Sequence, residues 1–105
     1  MFKRLIKKVS VKDADQKKLL VNAYNERCFW VYNGPVLSNL SDLWRAYNYM
    51  TKEQYAHHVH EEKNDFSKWV AEVLLDEECA KALLKADSPK KAATVVENSL
   101  KEYYV

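Results

Sequence analysis

The sequence predicts an all-α protein, a small single-domain helical bundle of about five helices with room for one short extended segment near residues 28–33. The chain has 105 residues, the usual length of one domain, and 48% of them are hydrophobic, which is enough for one core. It holds one glycine and two prolines, whereas a β-rich domain of this length needs many tight turns. Several apolar stripes at helical spacing follow residues that favour helix starts.

Residues 1–12, "MFKRLIKKVSVK", are predicted to be a basic N-terminal arm or a short amphipathic helix. Its apolar stripe is Phe2, Leu5, Ile6 and Val9, and the cations between them are Lys3, Arg4, Lys7 and Lys8. Residues 13–105 are predicted to form the helical domain. Its first helix is expected to begin near Asp13 or Asp15, because acidic residues suit a helix N-terminus, and to run through "QKKLLVNAYNER".

The next stretch, "CFWVYNGPV", is rich in aromatic and β-branched residues, as strands are. No second strand of comparable strength follows it, so Asn33-Gly34-Pro35 does not predict a hairpin here. After a helix, Gly34 followed by Pro35 is a stop signal. We therefore expect a buried helix end or an extended segment that closes at Gly34.

The later helices are marked by N-cap signals at Asn39, Thr51, Asn64, Asp76 and Ser88. Thr51 and Gln54 have the spacing of a capping box, and the helix behind them is predicted to run from Lys52 toward Glu62. The stripe after Asn64 is the cleanest and consists of Phe66, Trp69, Val70, Val73 and Leu74. Two weaker stripes are Cys79, Leu83 and Leu84, and Ala92, Val96, Leu100 and Tyr103.

The segment "YAHHVHEEKNDF", residues 55–66, concentrates three histidines, two glutamates and an aspartate. The best metal set that it offers is His58, Glu62 and Asp65. Ligands on one continuous helix diverge, and neither an HExxH nor an ExxH spacing is present. We therefore expect no metal, and a structural corner in which His58 and Asp65 lock two helices together. A metal-binding sensor at these three residues stays open as a second alternative.

Residue patterns for catalysis are missing from the sequence. A single glycine leaves no glycine-rich phosphate loop, and no serine, cysteine or histidine lies in a recognisable nucleophile arrangement. Glu61 and Glu62 would diverge by about 100° on a helix. Cys28 and Cys79 stand alone and are expected to be reduced thiols. We predict a protein that is not an enzyme, with no catalytic residues and no cofactor.

Two stretches, "FWVYNGPVLSNLSDL" (29–43) and "HVHEEKNDFSKWVAEVLLDEECAKAL" (58–83), resemble an uncharacterised small helical domain family of archaea and bacteria. The residues that fall on the family pattern are His58, Glu61, Glu62, Asn64, Asp65, Phe66 and Trp69. His60 departs from it, since a small polar residue is expected there. The family has no assigned catalytic activity, and similar domains occur alone or joined to ATPase or sugar-metabolism enzymes. The resemblance therefore implies a regulatory or protein-interaction module.

The predicted function is protein–protein contact through a groove formed by Trp30, Tyr32 and the histidine corner, because aromatic residues beside a polar rim are typical of interaction hot spots. The alternative is weak nucleic-acid association through the basic arm, so the candidate interaction residues also include Lys3, Arg4, Lys7 and Lys8. Residues 1–18 carry a net charge of +5 and the rest of the chain −3, so polyanion binding would have to use that arm. The basic start lacks the apolar run of a signal peptide or membrane span, so a cytoplasmic location is expected. The oligomeric state is left open.

Overall fold

A computed structural model of the protein describes residues 17–104, which form five α-helices and six short strands. The helices are α1 Leu40–Tyr49, α2 Lys52–His58, α3 Asp65–Glu72, α4 Glu77–Leu83 and α5 Pro89–Leu100. The strands are β1 Lys18–Leu19, β2 Phe29–Trp30, β3 Val36–Leu37, β4 Val59–His60, β5 Lys63–Asn64 and β6 Tyr103–Tyr104. They pair as β1 with β6, β2 with β3 and β4 with β5. The prediction of an all-α protein is therefore wrong, and the fold is mixed α and β.

The five predicted N-caps are confirmed. The side chains of Asn39, Thr51, Asn64, Asp76 and Ser88 each accept a hydrogen bond from the backbone N–H three residues later. At Thr51 the capping box is complete, because Gln54 Oε1 accepts the Thr51 N–H at 2.9 Å. Helix starts were predictable because a cap satisfies backbone N–H groups that have no partner within the helix, using residues only three positions apart.

The helix predicted to run through residue 27 is absent from the part of it that the structure describes. Lys18–Leu19 instead pairs in parallel with Tyr103–Tyr104, and only Asn25–Arg27 forms a short 3₁₀ turn. The Lys18 N–H donates to the Glu102 carbonyl at 2.8 Å. This pairing joins residues far apart in the sequence and replaces the local bonds of a helix. The predicted start at Asp13 or Asp15 lies outside the described residues.

The short extended segment expected near residues 28–33 is confirmed at Phe29–Trp30, but it is one arm of a hairpin, and the sequence analysis did not predict a hairpin. Phe29–Trp30 pairs antiparallel with Val36–Leu37, and Asn33 takes a positive φ of 50° at the turn. Two-residue strands are too short to hold a hairpin by themselves. The missing support comes from α2, whose Gln54 Nε2 donates to the carbonyls of Tyr32 at 3.1 Å and Asn33 at 2.9 Å.

A second hairpin interrupts the helix that was predicted to reach Glu62. Helix α2 ends at His58, and Val59–His60 pairs with Lys63–Asn64 around a turn formed by Glu61 and Glu62. Glu61 has a positive φ of 44°, which costs a non-glycine residue about 1 kcal/mol. The reversal brings the start of α3 back to the end of α2. The helical spacing of apolar residues in the sequence does not reveal such a contact between the end of one helix and the start of the next.

Phe66 is completely buried and lies at the centre of an aromatic cluster in the core. Its ring stacks on Phe29 at 4.7 Å between centroids and meets Tyr47 edge-on at 5.2 Å. Trp69 contacts Phe29 at 5.6 Å, and its Nε1–H donates to the Arg27 carbonyl at 2.8 Å. Two predicted stripe residues differ from expectation: Leu84 is exposed, and Tyr103 is buried from a strand rather than from α5.

Replacing Trp69 with alanine is expected to lower the free energy of unfolding by about 3–5 kcal/mol, the range for a buried large aromatic residue. Trp69 is 7% exposed and also satisfies a backbone carbonyl. The matched control is Trp30→Ala, since Trp30 is 68% exposed, and its effect should stay within about 0.5 kcal/mol. Urea unfolding followed by circular dichroism measures both. Equal losses in the two variants would contradict the assignment of Trp69 to the core.

Candidate functional site

The histidine corner, defined as His58, Asp65 and the backbone N–H of Tyr32, joins three separate segments. His58 ends α2 and is 7% exposed. Its Nδ1 lies 2.9 Å from Asp65 Oδ2, and its Nε2 accepts the Tyr32 N–H at 3.0 Å. An Nε2 that accepts a hydrogen bond carries no proton, so the geometry assigns the proton to Nδ1, which donates to Asp65. The ring is neutral in this arrangement, and both of its nitrogens have partners.

Two phenylalanine rings pack against the His58 ring. Phe29 and Phe66 meet it edge-on, with centroids 4.9 Å and 5.1 Å away. Phe29 belongs to the first hairpin and Phe66 to α3, so packing reinforces the two hydrogen bonds. The corner therefore fastens the first hairpin to α2 and α3 at one buried point. Because both ring nitrogens have partners, no lone pair on His58 is free for a ligand.

The structure does not bring together the metal set of His58, Glu62 and Asp65. Glu62 lies exposed in the turn between β4 and β5, beside the equally exposed Glu61. Within residues 17–104 no group of three or more histidine, cysteine, aspartate or glutamate side chains could hold a metal ion. The candidate ligands fail to converge because the second hairpin turns Glu62 outward while it turns Asp65 inward.

The structure also shows where the other residues of the histidine segment and of the family pattern lie. Asn64 caps α3 and donates through Nδ2 to the Leu83 carbonyl at 3.4 Å, while Phe66 and Trp69 lie in the core. His60 is exposed on β4. His57 is exposed too, and its ring stacks flat on Tyr32 at 4.2 Å with an interplanar angle of 7°. The motif thus builds the core and the corner between α2 and α3.

An exposed aromatic face, defined as Trp30, Tyr32, Val36 and Tyr49, lies on the outer side of the first hairpin and the end of α1. Trp30 and Val36 are cross-strand partners and are 68% and 44% exposed. The inward pair, Phe29 and Leu37, is buried. Sequence reasoning identified Trp30 and Tyr32 but missed Val36 and Tyr49, since only the hairpin register and the end of α1 place them nearby. The alternation of strand side chains was the available signal.

A groove of about 450 Å³ adjoins this face, between the hairpin and α1. Its apolar lining includes Pro35, Val36, Leu37, Ala46, Tyr49 and Met50. Arg45 stands at the rim with its side chain 61% exposed and lies 2.6 Å from Asp42. Asp42 also accepts the Ser38 N–H at 2.8 Å. The groove is therefore an apolar trough with one exposed cation at its edge.

The backbone of Val36 is available to a partner. Val31 N–H donates to the Pro35 carbonyl at 3.0 Å, and hydrogen-bonded pairs alternate with non-hydrogen-bonded pairs along an antiparallel ladder. Trp30 and Val36 therefore form a non-hydrogen-bonded pair, with the N–H and C=O of Val36 directed away from β2. Outside the strand pairing, residues 17–104 supply no backbone hydrogen bond to these two groups.

A second polar cluster lies on the other side of the core, at the start of α4. Buried Asp76 accepts the Tyr103 O–H at 2.6 Å and the Cys79 N–H at 3.0 Å. Burial raises the pKa of the Cys79 thiol to about 11. Burial, and next the hydrogen bond donated to Asp76, raise the pKa of Tyr103. Both groups stay protonated near neutrality, so the cluster fastens strand β6 to α4 and supplies no reactive group.

The basic arm, residues 1–12 with Lys3, Arg4, Lys7 and Lys8, lies outside the described residues. The boundary at residue 13 lies outside them as well. In the described part of the chain no helix is long and apolar enough to cross a membrane.

Metal analysis of the untagged protein after dialysis against Zn²⁺ is expected to find no ion held at one equivalent per chain, because His58 already uses both nitrogens. His58→Ala should instead lower the free energy of unfolding by at least about 2 kcal/mol, since it leaves a cavity in place of a buried ring and removes the acceptor of the partly buried Tyr32 N–H. The exposed His60→Ala is the matched control. A bound zinc lost in His58→Ala and kept in His60→Ala would contradict the structural assignment.

Alkylation by iodoacetamide at about pH 8 should modify Cys79 at least about a hundredfold more slowly in the folded protein than in urea, because the thiolate is the reactive form. The raised pKa of Cys79 leaves little thiolate at that pH, and burial blocks access. Mass spectrometry of the Cys79 peptide follows the reaction. Equal rates in the folded and unfolded chain would refute this burial.

Comparison with known proteins gives no family for this chain: no protein-family model, curated protein or solved structure matches it. The resemblance to a small helical domain family stays a hypothesis, and the function has to be inferred from the geometry of the chain's own residues.

Proposed function

We propose that this protein is a non-catalytic docking module that binds an extended segment of a partner protein along the aromatic face and its groove. The observation that carries the proposal is the outward pair Trp30 and Val36, exposed beside an apolar groove of about 450 Å³. Large aromatic residues at the surface are the residue types that dominate binding energy at interfaces. An interacting regulatory module is also what the resemblance in sequence implies.

The chemistry of the groove defines the partner. The apolar lining accepts one large apolar side chain, whose burial supplies affinity at roughly 25 cal/mol per Å² before the costs of ordering. The N–H and C=O of Val36 offer a pair of backbone hydrogen bonds to an extended chain, as in strand addition. Arg45 at the rim favours a carboxylate on the same segment, because its guanidinium keeps N–H donors beyond those that reach Asp42 and Ser41.

The frame under the face is held by several hydrogen bonds, and a surface that is formed before binding lowers the cost of binding. Two side chains bind the turn between β2 and β3. His58 accepts a hydrogen bond from the Tyr32 N–H, and Gln54 donates to the carbonyls of Tyr32 and Asn33. Gly34 fits closely here, since a Cβ would lie 2.9 Å from Val31 Cγ1 and from Gln54 Nε2. A surface that is already formed before binding favours recognition of the partner segment.

The absence of catalysis is part of the proposal. The charged groups of the groove, Asp42 and Arg45, are paired with each other, and the buried Cys79 and Tyr103 have raised pKa values. The module is proposed to act in the cytoplasm, where the free thiols Cys28 and Cys79 would persist in reduced form.

Selection of random peptides displayed on phage against the wild-type protein tests the proposal. The expected result is enrichment of short extended peptides with one large apolar residue and a nearby Asp or Glu. Affinities are then measured by titration calorimetry. The double variant Trp30→Ala, Val36→Ser should weaken binding at least about tenfold, and Arg45→Gln should weaken only the peptides that carry the acid.

The matched control is Leu75→Ser, which removes an exposed apolar residue from the segment between α3 and α4. It should leave the affinities unchanged. No enrichment over an empty surface, or peptides that bind the double variant as well as the wild type, would refute the docking function. If the selected peptides bind the wild type but not Leu75→Ser, the binding surface lies elsewhere on the protein.

A further inference from the structure

We infer that His58 is a proton-sensitive latch, which holds the turn of the first hairpin when its ring is neutral and releases that turn when the ring is protonated. The inference goes beyond the docking function and does not depend on it. It rests on one contact, the bond that the Tyr32 N–H donates to Nε2 of a buried imidazole.

The contact requires the neutral ring. A proton added to Nε2 turns an acceptor into a donor, and two N–H groups would then face each other with their nitrogens 3.0 Å apart. Neither group can satisfy the other. The Tyr32 N–H has to turn away from the ring, and the turn has to move with it.

The charged and titratable groups around the ring oppose one another. Asp65 Oδ2, 2.9 Å from Nδ1, favours the protonated ring. Lys63 Nζ lies 3.7 Å from that same oxygen and weakens its pull. His57 meets the ring edge-on at 4.9 Å from the same helix and can itself gain a proton. From the first hairpin and α3, Phe29 and Phe66 contribute only apolar surface, which disfavours charge.

The two ring nitrogens of His58 have different partners, and this difference decides which hydrogen bond breaks when the ring is protonated. The bond from Nδ1 to Asp65 survives protonation and becomes an ion pair, so the ring keeps its hold on α3. The bond from Tyr32 is the one that is lost. Gln54 still donates to the carbonyls of Tyr32 and Asn33, and so the turn loosens without separating from α2. The response is local to the hairpin.

The effect of protonating His57 has to be separated from the effect of protonating His58. Its ring stacks on Tyr32, so its own protonation would add a cation to an aromatic face and hold Tyr32 more tightly. The chain has three histidines. In the double variant His57→Gln, His60→Gln, the imidazole of His58 is the only one left, and any histidine titration belongs to it.

The experiment is nuclear magnetic resonance of this double variant between about pH 8 and about pH 5, the range in which histidine titrates. The expected result is a change of the Tyr32 amide shift with the same midpoint as the His58 ring signals. The protection of the Tyr32 amide against hydrogen exchange, corrected for intrinsic rates, should fall by about five- to tenfold, the equivalent of one net hydrogen bond. The Cys79 amide, bound to Asp76, should keep its protection. In a His58→Gln variant the Tyr32 transition should vanish.

Three results would overturn the latch. The Tyr32 amide could stay constant while the His58 ring titrates, which would show that the contact does not respond to the proton. The Cys79 and Tyr32 amides could lose protection together, which would make the event a general unfolding. The His58 ring could fail to titrate in the folded protein, which would leave it a neutral core residue.

Discussion

One buried imidazole connects three segments of this fold, the turn of the first hairpin, the end of α2 and the start of α3. The His58 ring accepts from the turn of the first hairpin, donates to the first residue of α3, and packs against Phe29 and Phe66. A donor and an acceptor on opposite sides of one small ring fix two distances at once. If the ring is removed, the Tyr32 N–H and the Asp65 carboxylate both lose this partner, and the loss of a hydrogen bond at partly buried polar groups is costly.

The exposed aromatic face depends on that connection. The first hairpin has strands of only two residues, and its geometry comes from what lies beneath it: the stacked rings of Phe29 and Phe66, the His58 contact and the side chain of Gln54. These contacts orient the inner pair, Phe29 and Leu37, toward the core. The strict alternation of a strand then places Trp30 and Val36 outside. The surface that we propose for docking is therefore set in large part by the buried residues beneath it, Phe29, Phe66 and His58.

Helix starts and the core of α3 follow from local rules, and these were accessible from the sequence. A cap needs a suitable side chain and an N–H three residues away, so Thr51, Asn64 and Ser88 could be recognised without any knowledge of the fold. Burial of Phe66 and Trp69 followed from a repeat inside one helix. In contrast, the two hairpins and the β1–β6 pair rest on contacts between distant segments. The turn at Asn33 needs Gln54, and the reversal after His58 needs Asp65. The helical spacing of apolar residues is judged within one segment at a time. It therefore predicted helices that continue past the points where tertiary contacts end them.

The hydrogen bond between the Tyr32 amide and His58 Nε2 is the contact on which this account rests, and it can be observed directly. A ¹⁵N-labelled sample at neutral pH should give a scalar coupling across the hydrogen bond between the Tyr32 amide nitrogen and Nε2 of His58, with Nδ1 as the protonated ring nitrogen. Absence of that coupling together with a proton on Nε2 would show that the ring faces the hairpin as a donor, and would contradict the proposed basis of the corner and of the face above it.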